Sequence, residues 1–339
     1  MSFRSVLVTG GAGFIGSNLV RLLRRERPDC TVVNLDSLTY AGNAESLADL
    51  RGDPRHVFVR GEIADQGLVE RLIQDHGIEA ILNLAAESHV DRSILGPSIF
   101  VETNVSGTQV LLECARMAKL KRFLQISTDE VYGSLGPAGK FTEESPLKPS
   151  SPYSASKAAA DLVALAYGHT FGLDVVVTRC SNNYGPYQFP EKLIPLMIAN
   201  AVEGKKLPVY GDGMQVRDWI HVEDHNRGVL AALEQGKAGE VYNFGSDNEW
   251  PNLMVVRKLL EILGKGEGLV EHVKDRPGHD RRYAIDAAKA RRELGWAPRI
   301  PFEAGLASTV KWYVENRGWW ERVRTGEYRS YYERNYGTR

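Results

Sequence analysis

A parallel, doubly wound α/β sheet followed by a smaller mixed α/β lobe is predicted by three observations. Short β-branched apolar runs alternate with longer amphipathic stretches up to about Arg179. A glycine-rich turn joins the first run to the first amphipathic stretch. Beyond Arg179 the alternation breaks into shorter pieces, with Gly, Pro and Asn clustered at Asn182–Pro190. Strand–helix alternation of this kind forms a parallel sheet with right-handed crossovers.

Taken in order, the expected strands are Val6–Thr9, Thr31–Leu35, Val57–Arg60, Ala80–Leu84, Arg122–Ser127 and Asp174–Arg179. Each is a short apolar run, as strands buried on both faces are. Helices are expected at Phe14–Arg25, Gly67–Asp75, Ser98–Ala118 and Pro152–Thr170. Residues 1–180 read as the nucleotide-binding domain and carry the catalytic groups. Residues 181–339 read mainly as a substrate-binding lobe, with shorter elements at Leu207–Tyr210, Val222–Gln235, Glu240–Phe244 and Leu253–Leu263 and some segments returning to the first domain.

Bulk properties narrow the classes of function. The 339 residues suit about two domains of ~100–200 residues each. A chain this long buries roughly three-quarters of its unfolded surface, so neither disulfide nor metal is needed for stability. A net charge of −1 gives no global attraction to nucleic acid or anionic membrane. A phosphorylated ligand would have to be held by local arginines and backbone N–H groups. Cys30, Cys114 and Cys180 are odd in number, far apart and without zinc spacing, which reads as buried, reduced thiols and no metal site. Met-Ser-Phe-Arg runs directly into Val6, leaving no room for a secretory leader, and no apolar run reaches the ~20 residues of a membrane span. A cytoplasmic, soluble protein is expected. The Trp-, Tyr- and Arg-rich stretch from Trp319 to Arg339 reads as a packed terminus rather than a nucleic-acid arm.

Gly10-Gly11-Ala12-Gly13-Phe14-Ile15-Gly16 leaves the first strand and opens the first helix. The missing Cβ atoms allow a tight turn and close approach of a pyrophosphate, and the helix N-terminus offers free N–H groups. This is the signature of a Rossmann-type fold. Asp36 lies twenty positions after Gly16, at the end of the second strand. Its carboxylate would accept from ribose hydroxyls and repel a 2′-phosphate, which selects NAD over NADP. Glu62 and Ile63, and Leu84, Ala85 and Ala86, follow later strands, where adenine and the nicotinamide ribose would lie.

Tyr153 and Lys157 are four residues apart on an expected helix and so share a face. A lysine ammonium and the positive nicotinamide would favour the phenolate, making Tyr153 a base toward a sugar hydroxyl. Thr128-Asp129-Glu130 ends the fifth strand. One reading is a helix cap, since Ser127-x-x-Glu130 fits a capping box. The other is chemical. Adjacent shielded carboxyls do not both ionise cheaply, which yields an acid beside a base. Once a C4 hydroxyl becomes a ketone, the C5 hydrogen is acidic; Glu130 could remove it while Asp129 protonates a departing C6 hydroxyl.

These residues resemble the dTDP-glucose 4,6-dehydratase family of the extended short-chain dehydrogenases. The likeness rests on Thr9–Ser17, Leu35–Asn43, Ala85–Ser93, Ser127–Gly133, Tyr153–Lys157, Arg179–Pro195, Val209–Val222 and Asp275–Asp286. It implies that Thr128 and Tyr153 act at C4, that Asp129 is the acid and Glu130 the C5 base. It places Ser37, Leu38, Thr39, Ser88, Thr103 and Asn183 on the cofactor. Ser88, Thr128, Asn182, Lys192, Leu193, Pro208, Tyr210, Arg217, Asn252, Arg276, His279 and Tyr336 would hold a nucleotide sugar. It also implies a homodimer joined through helices 98–118 and 152–170. Glu62, where the family usually has Asp, and Trp250-Pro251 depart from the pattern. Two other readings are a 4-epimerase or dehydratase for another nucleotide sugar and, from a different class, a silent NAD-sensing regulator.

Overall fold

The chain is described by a computed structural model over residues 2–275 and 278–324. Its first half runs β1 (Ser5–Thr9), α1 (Phe14–Glu26), β2 (Thr31–Asp36), β3 (His56–Arg60), α2 (Gln66–His76), β4 (Ala80–Asn83), α3 (Val90–Leu95), α4 (Ser98–Val101), α5 (Thr108–Met117), β5 (Arg122–Thr128), α6 (Pro152–Phe171) and β6 (Val175–Cys180). The second half runs β7 (Asn182–Tyr184), α7 (Leu193–Val202), β8 (Leu207–Tyr210), β9 (Val216–His221), α8 (Val222–Gln235), β10 (Val241–Phe244), β11 (Glu249–Pro251), α9 (Asn252–Ile262), β12 (Val270–Val273), α10 (Ala288–Leu294), α11 (Phe302–Glu315) and α12 (Arg317–Val323).

The main sheet has seven strands in the order β10-β6-β5-β4-β1-β2-β3, every pairing parallel. Both faces are covered. In β1, Val6 and Val8 join the core beneath α1 and α8, while Leu7 joins the core beneath α2, α5 and α6. That period-2 division explains why the strand is apolar throughout. The order reverses between β1 and β4, and ligands of such sheets bind outside the strand carboxyl ends at that switch point. β10 adds to the sheet from the chain's later half.

A third core joins α7, α9 and α11 with β8 and β9, over two small sheets, β11-β9-β7 and β12-β8. These strands have three to six residues and pair across long separations in sequence, so no local turn signal announces them.

One expected element is corrected. Ser98–Ala118 is helical but not uniformly so: Glu102–Gly107 forms a π-helical turn between α4 and α5. Such a turn inserts one residue into the hydrogen-bond ladder and re-aims side chains, often at functional sites. Here Asn104 is buried, accepts from the Glu87 amide at 2.8 Å and donates to Ser156 on α6 at 2.9 Å.

Candidate active site

A cavity of about 470 Å³ opens along the carboxyl edge of the sheet, from the glycine turn to the start of α6. At one end the turn lies against the exit of β4. Gly10 has φ +69°, and a Cβ there would meet Ala85 N at 2.7 Å; at Gly16 it would stand 2.2 Å from Gly10 O. The colliding atoms are backbone, so neither contact can relax by moving a side chain. The first turn of α1 has no side-chain cap at Gly13, which leaves its N–H groups for an anion. Gly16→Ala should therefore lower stability by about 1–3 kcal/mol and strip dinucleotide from the protein. Thermal unfolding and cofactor released from purified protein would check both.

Asp36 closes the second strand. One carboxylate oxygen accepts from the Ala12 amide at 2.9 Å and the other from the Leu38 amide at 2.8 Å. Burial raises this carboxyl and the two amides oppose the shift. The bonds tie glycine turn, strand end and following loop into one unit. Leu38 has φ +56° and, alone among the residues expected at the cofactor, is not on the cavity wall. The wall includes Gly10, Gly13, Phe14, Ile15, Gly16, Asp36, Ser37, Thr39, Glu62, Ile63, Leu84, Ala85, Ala86, Ser88, Thr103 and Asn183. Glu62 is exposed at the rim, whereas Ile63 is buried.

At the other end the cavity is lined by Thr128, Asp129, Glu130, Tyr153 and Lys157. Two local devices place them. Ser151 caps α6 through a reciprocal box with Ser154, and Pro152 takes the first helical position, so Tyr153 stands in the first turn. On the β5 side the cap is Thr128 rather than Ser127. Thr128 Oγ1 accepts from the Glu130 amide at 3.2 Å and donates to Asp129 Oδ1 at 3.3 Å. The cap consumes a hydroxyl and an amide, leaving the Glu130 carboxylate outside the capping pair expected from the sequence.

Asp129 is 2% exposed. Burial, then the Glu130 and Asp218 carboxylates, raise its carboxyl well above the usual range, against Arg217. It is the acid-like member of the couple. Tyr153 is raised well above a normal phenol by burial, Glu130, Cys180 and Asp129. Lys157 Nζ donates to the Ile126 carbonyl at 2.7 Å, and burial pulls the ammonium down. Burial and these three neighbours of Tyr153 disfavour the phenolate, and positive charge brought into the cavity would oppose them.

The remaining expected ligands divide. Asn182 and Lys192 line the cavity with Ser88 and Thr128, and Lys192 Nζ donates to the Ser88 carbonyl at 3.0 Å. Leu193, Pro208, Tyr210, Arg217, Asn252 and His279 lie beyond its wall. Pro208 and Tyr210 are on β8, Arg217 on β9 and Asn252 at the start of α9. The Tyr210 hydroxyl donates to Asp91 at 3.1 Å, and His279 Nδ1 lies 2.6 Å from Asp275. Arg217 is buried over the Tyr283 ring at 4.3 Å. Trp250 pairs opposite Arg217 and stacks on Phe302, which sets the approach to Asn252. Arg276 and Tyr336 lie outside the described residues.

Sequence reasoning missed Glu87, Cys180 and Gln188 on the wall. Cys180 reads as an ordinary apolar thiol, and only its place at the end of β6 beside β5 hints otherwise. Its sulfur accepts from Asn183 Nδ2 at 3.2 Å.

The model of the GDP-mannose 4,6 dehydratase family matches residues 7–309. A dTDP-glucose 4,6-dehydratase of Xanthomonas campestris is 54% identical, over 95% of this chain and 97% of that protein. The chain belongs to the dTDP-glucose 4,6-dehydratase family. A solved dTDP-glucose 4,6-dehydratase of that family, DesIV from Streptomyces venezuelae with NAD bound, superposes with a TM-score of 0.91 at 55% identity, covering 94% of this chain and 99% of that one. The same fold extends to a UDP-glucose 4-epimerase of Thermotoga maritima, with a TM-score of 0.86 at 31% identity over 92% and 99% of the two chains. Fold alone therefore does not separate the dehydratase family from epimerases; the carboxyl couple must be weighed instead.

Proposed function

We propose that this chain is an NAD-dependent dTDP-glucose 4,6-dehydratase that forms dTDP-4-keto-6-deoxyglucose. The observation that carries the reading is the pairing of buried Asp129 with Glu130 in the cavity that also holds Tyr153 and Lys157. Oxidation alone needs the tyrosine and lysine; an acid beside a base is needed only to eliminate water.

The bare cradle at Gly10 and Gly16 and the fixed Asp36 carboxylate suit a dinucleotide. NAD held there by the glycine turn and Asp36 would supply the acceptor for the C4 hydride of the sugar and its later return to C6. Thr128 and Tyr153 hold O4, and Tyr153 takes its proton as the ketone forms. Lys157 keeps positive charge beneath the phenolate. Glu130 removes the acidified C5 proton while Asp129 gives its proton to O6, which leaves as water. The proton on Glu130 then goes to C5. Tyr153 has gained one proton and Asp129 lost one, so a single transfer within the cavity resets both.

Tyr210 on β8, Arg217 on β9, Asn252 at the start of α9 and His279 between β12 and α10 are assigned to the nucleotide, with Arg217 suited to bidentate contact with phosphate oxygens. Side-by-side assays with dTDP-glucose and UDP-glucose test the assignment. Loss of the C6 hydroxyl, fastest with dTDP-glucose, is expected. Inversion at C4 with the C6 hydroxyl intact would instead identify an epimerase.

A cytoplasmic homodimer is part of the same proposal. Among the described residues no helix is long and apolar enough to cross a membrane. Ile99, Val101 and Leu162, on the two expected dimer helices, are 47%, 53% and 57% exposed, a cost for a lone chain and a resource for a paired one. Val101→Glu with Leu162→Glu should shift sedimentation from dimer to monomer. A dimer unchanged by both substitutions would place the interface elsewhere.

A further inference from the structure

Along α6, below Tyr153 and Lys157, stands a third titratable side chain that the proposed reaction leaves without work. Asp161 follows Lys157 by the same four-residue step that separates Lys157 from Tyr153, so the three form one stripe down the helix. Its exposure is 0%. Oδ2 accepts from Arg179 Nε at 2.9 Å. Arg179, itself 3% exposed, donates onward to the Tyr132 hydroxyl at 3.0 Å, and Tyr132 donates to Asn243 at 2.9 Å. One oxygen of Asp161 is thus anchored through a chain of fixed groups.

The carboxylate also meets β5. The Ser127 hydroxyl, buried at the end of that strand, faces it and favours its charge. Ser127 pairs with Arg179 across β5 and β6, and its neighbour Ile126 accepts from Lys157 Nζ. The Asp161 carboxylate therefore lies in the same dry layer as the catalytic ammonium.

We infer that Asp161 is a positioning residue, whose Arg179-anchored carboxylate holds Lys157 as an ammonium beneath Tyr153. The inference rests on the proposed oxidation at C4. The charges around the stripe are few. Lys157 faces Asp161 on its own helix and Cys180 on β6; burial disfavours its charge and Asp161 is the foremost group opposing that loss. Tyr153 faces Glu130, Asp129 and Cys180, all of which disfavour a phenolate, and the Thr128 hydroxyl, which favours one. Asp161 faces Arg179 and Lys157, which oppose the effect of its burial. With the carboxylate gone, Lys157 loses its anionic partner and gives up its proton more readily. Tyr153 then loses positive charge and ionises only at higher pH.

The test compares NAD-loaded wild type with Asp161→Asn and with Asp161→Asn/Arg179→Gln. The double variant removes both buried charges, so it decides if the single one fails to fold. Ionisation of Tyr153 is followed by ultraviolet difference spectra against the same background carrying Tyr153→Phe, and C4 oxidation by single-turnover formation of NADH across pH. Both midpoints should move upward by about 1–3 pH units with KM little changed. A double variant whose midpoints match wild type, whatever its melting temperature, would overturn the inference and leave the pair a structural staple. Wild type that never reduces NAD with dTDP-glucose would instead defeat the proposed activity, while the Tyr153 titration would still judge Asp161.

Discussion

Tyr153→Phe should lower kcat on dTDP-glucose by about 10²–10⁴-fold, the span expected for loss of a general base, and no reduced cofactor should form. The substitution removes one oxygen and little else. Tyr153 is buried against Phe100 in an edge-on contact at 6.3 Å, which a phenylalanine ring can keep, so stability and KM should change little. The surroundings make the hydroxyl demanding as well as necessary: burial and the Glu130, Cys180 and Asp129 side chains all resist its ionisation. Rapid mixing of enzyme and substrate, followed by NADH absorbance, gives the check. Rapid NADH formation in the variant would remove Tyr153 from the first step.

Glu130→Gln should produce a different failure. Turnover should fall by a similar ~10²–10⁴-fold, yet NADH should form and persist, because oxidation at C4 does not use this carboxylate. The cap at the end of β5 survives, since it is the Glu130 amide that bonds Thr128. Folding stability should therefore stay within about 0.5 kcal/mol of wild type, as for substitutions away from such features. A protein that merely epimerises C4 would tolerate the change. The contrast between a variant that never reduces its cofactor and one that cannot let the reduced form go separates the two halves of the chemistry.

The parts of this molecule legible in its sequence are those fixed by local physics. β1, β2, β5 and β6 are buried on both faces, so apolar runs mark them, and the glycine turn is marked because a Cβ would strike backbone at Gly10 and Gly16. Thr128, Asp129, Glu130, Tyr153 and Lys157 were readable because strand end and helix start bring them to one edge of the sheet. What escaped depends on partners far along the chain. The π-helical turn at Glu102–Gly107 serves Asn104's bonds to Glu87 and Ser156, and side-chain periodicity carries no trace of it. Thr128 displaced Ser127 as the cap because Ser127 turns inward toward Asp161. Cys180 reached the cavity wall only because β6 pairs with β5 in a register that sets it beside Thr128.

The central claim is that two electrons leave C4 and return to the same molecule at C6. It is tested most directly with dTDP-glucose carrying deuterium at C4, the product being analysed by mass spectrometry and NMR. The account predicts a 4-keto-6-deoxy product with the deuterium in its C6 methyl group. Deuterium still at C4, or lost to solvent, in a product that keeps its C6 hydroxyl would contradict it.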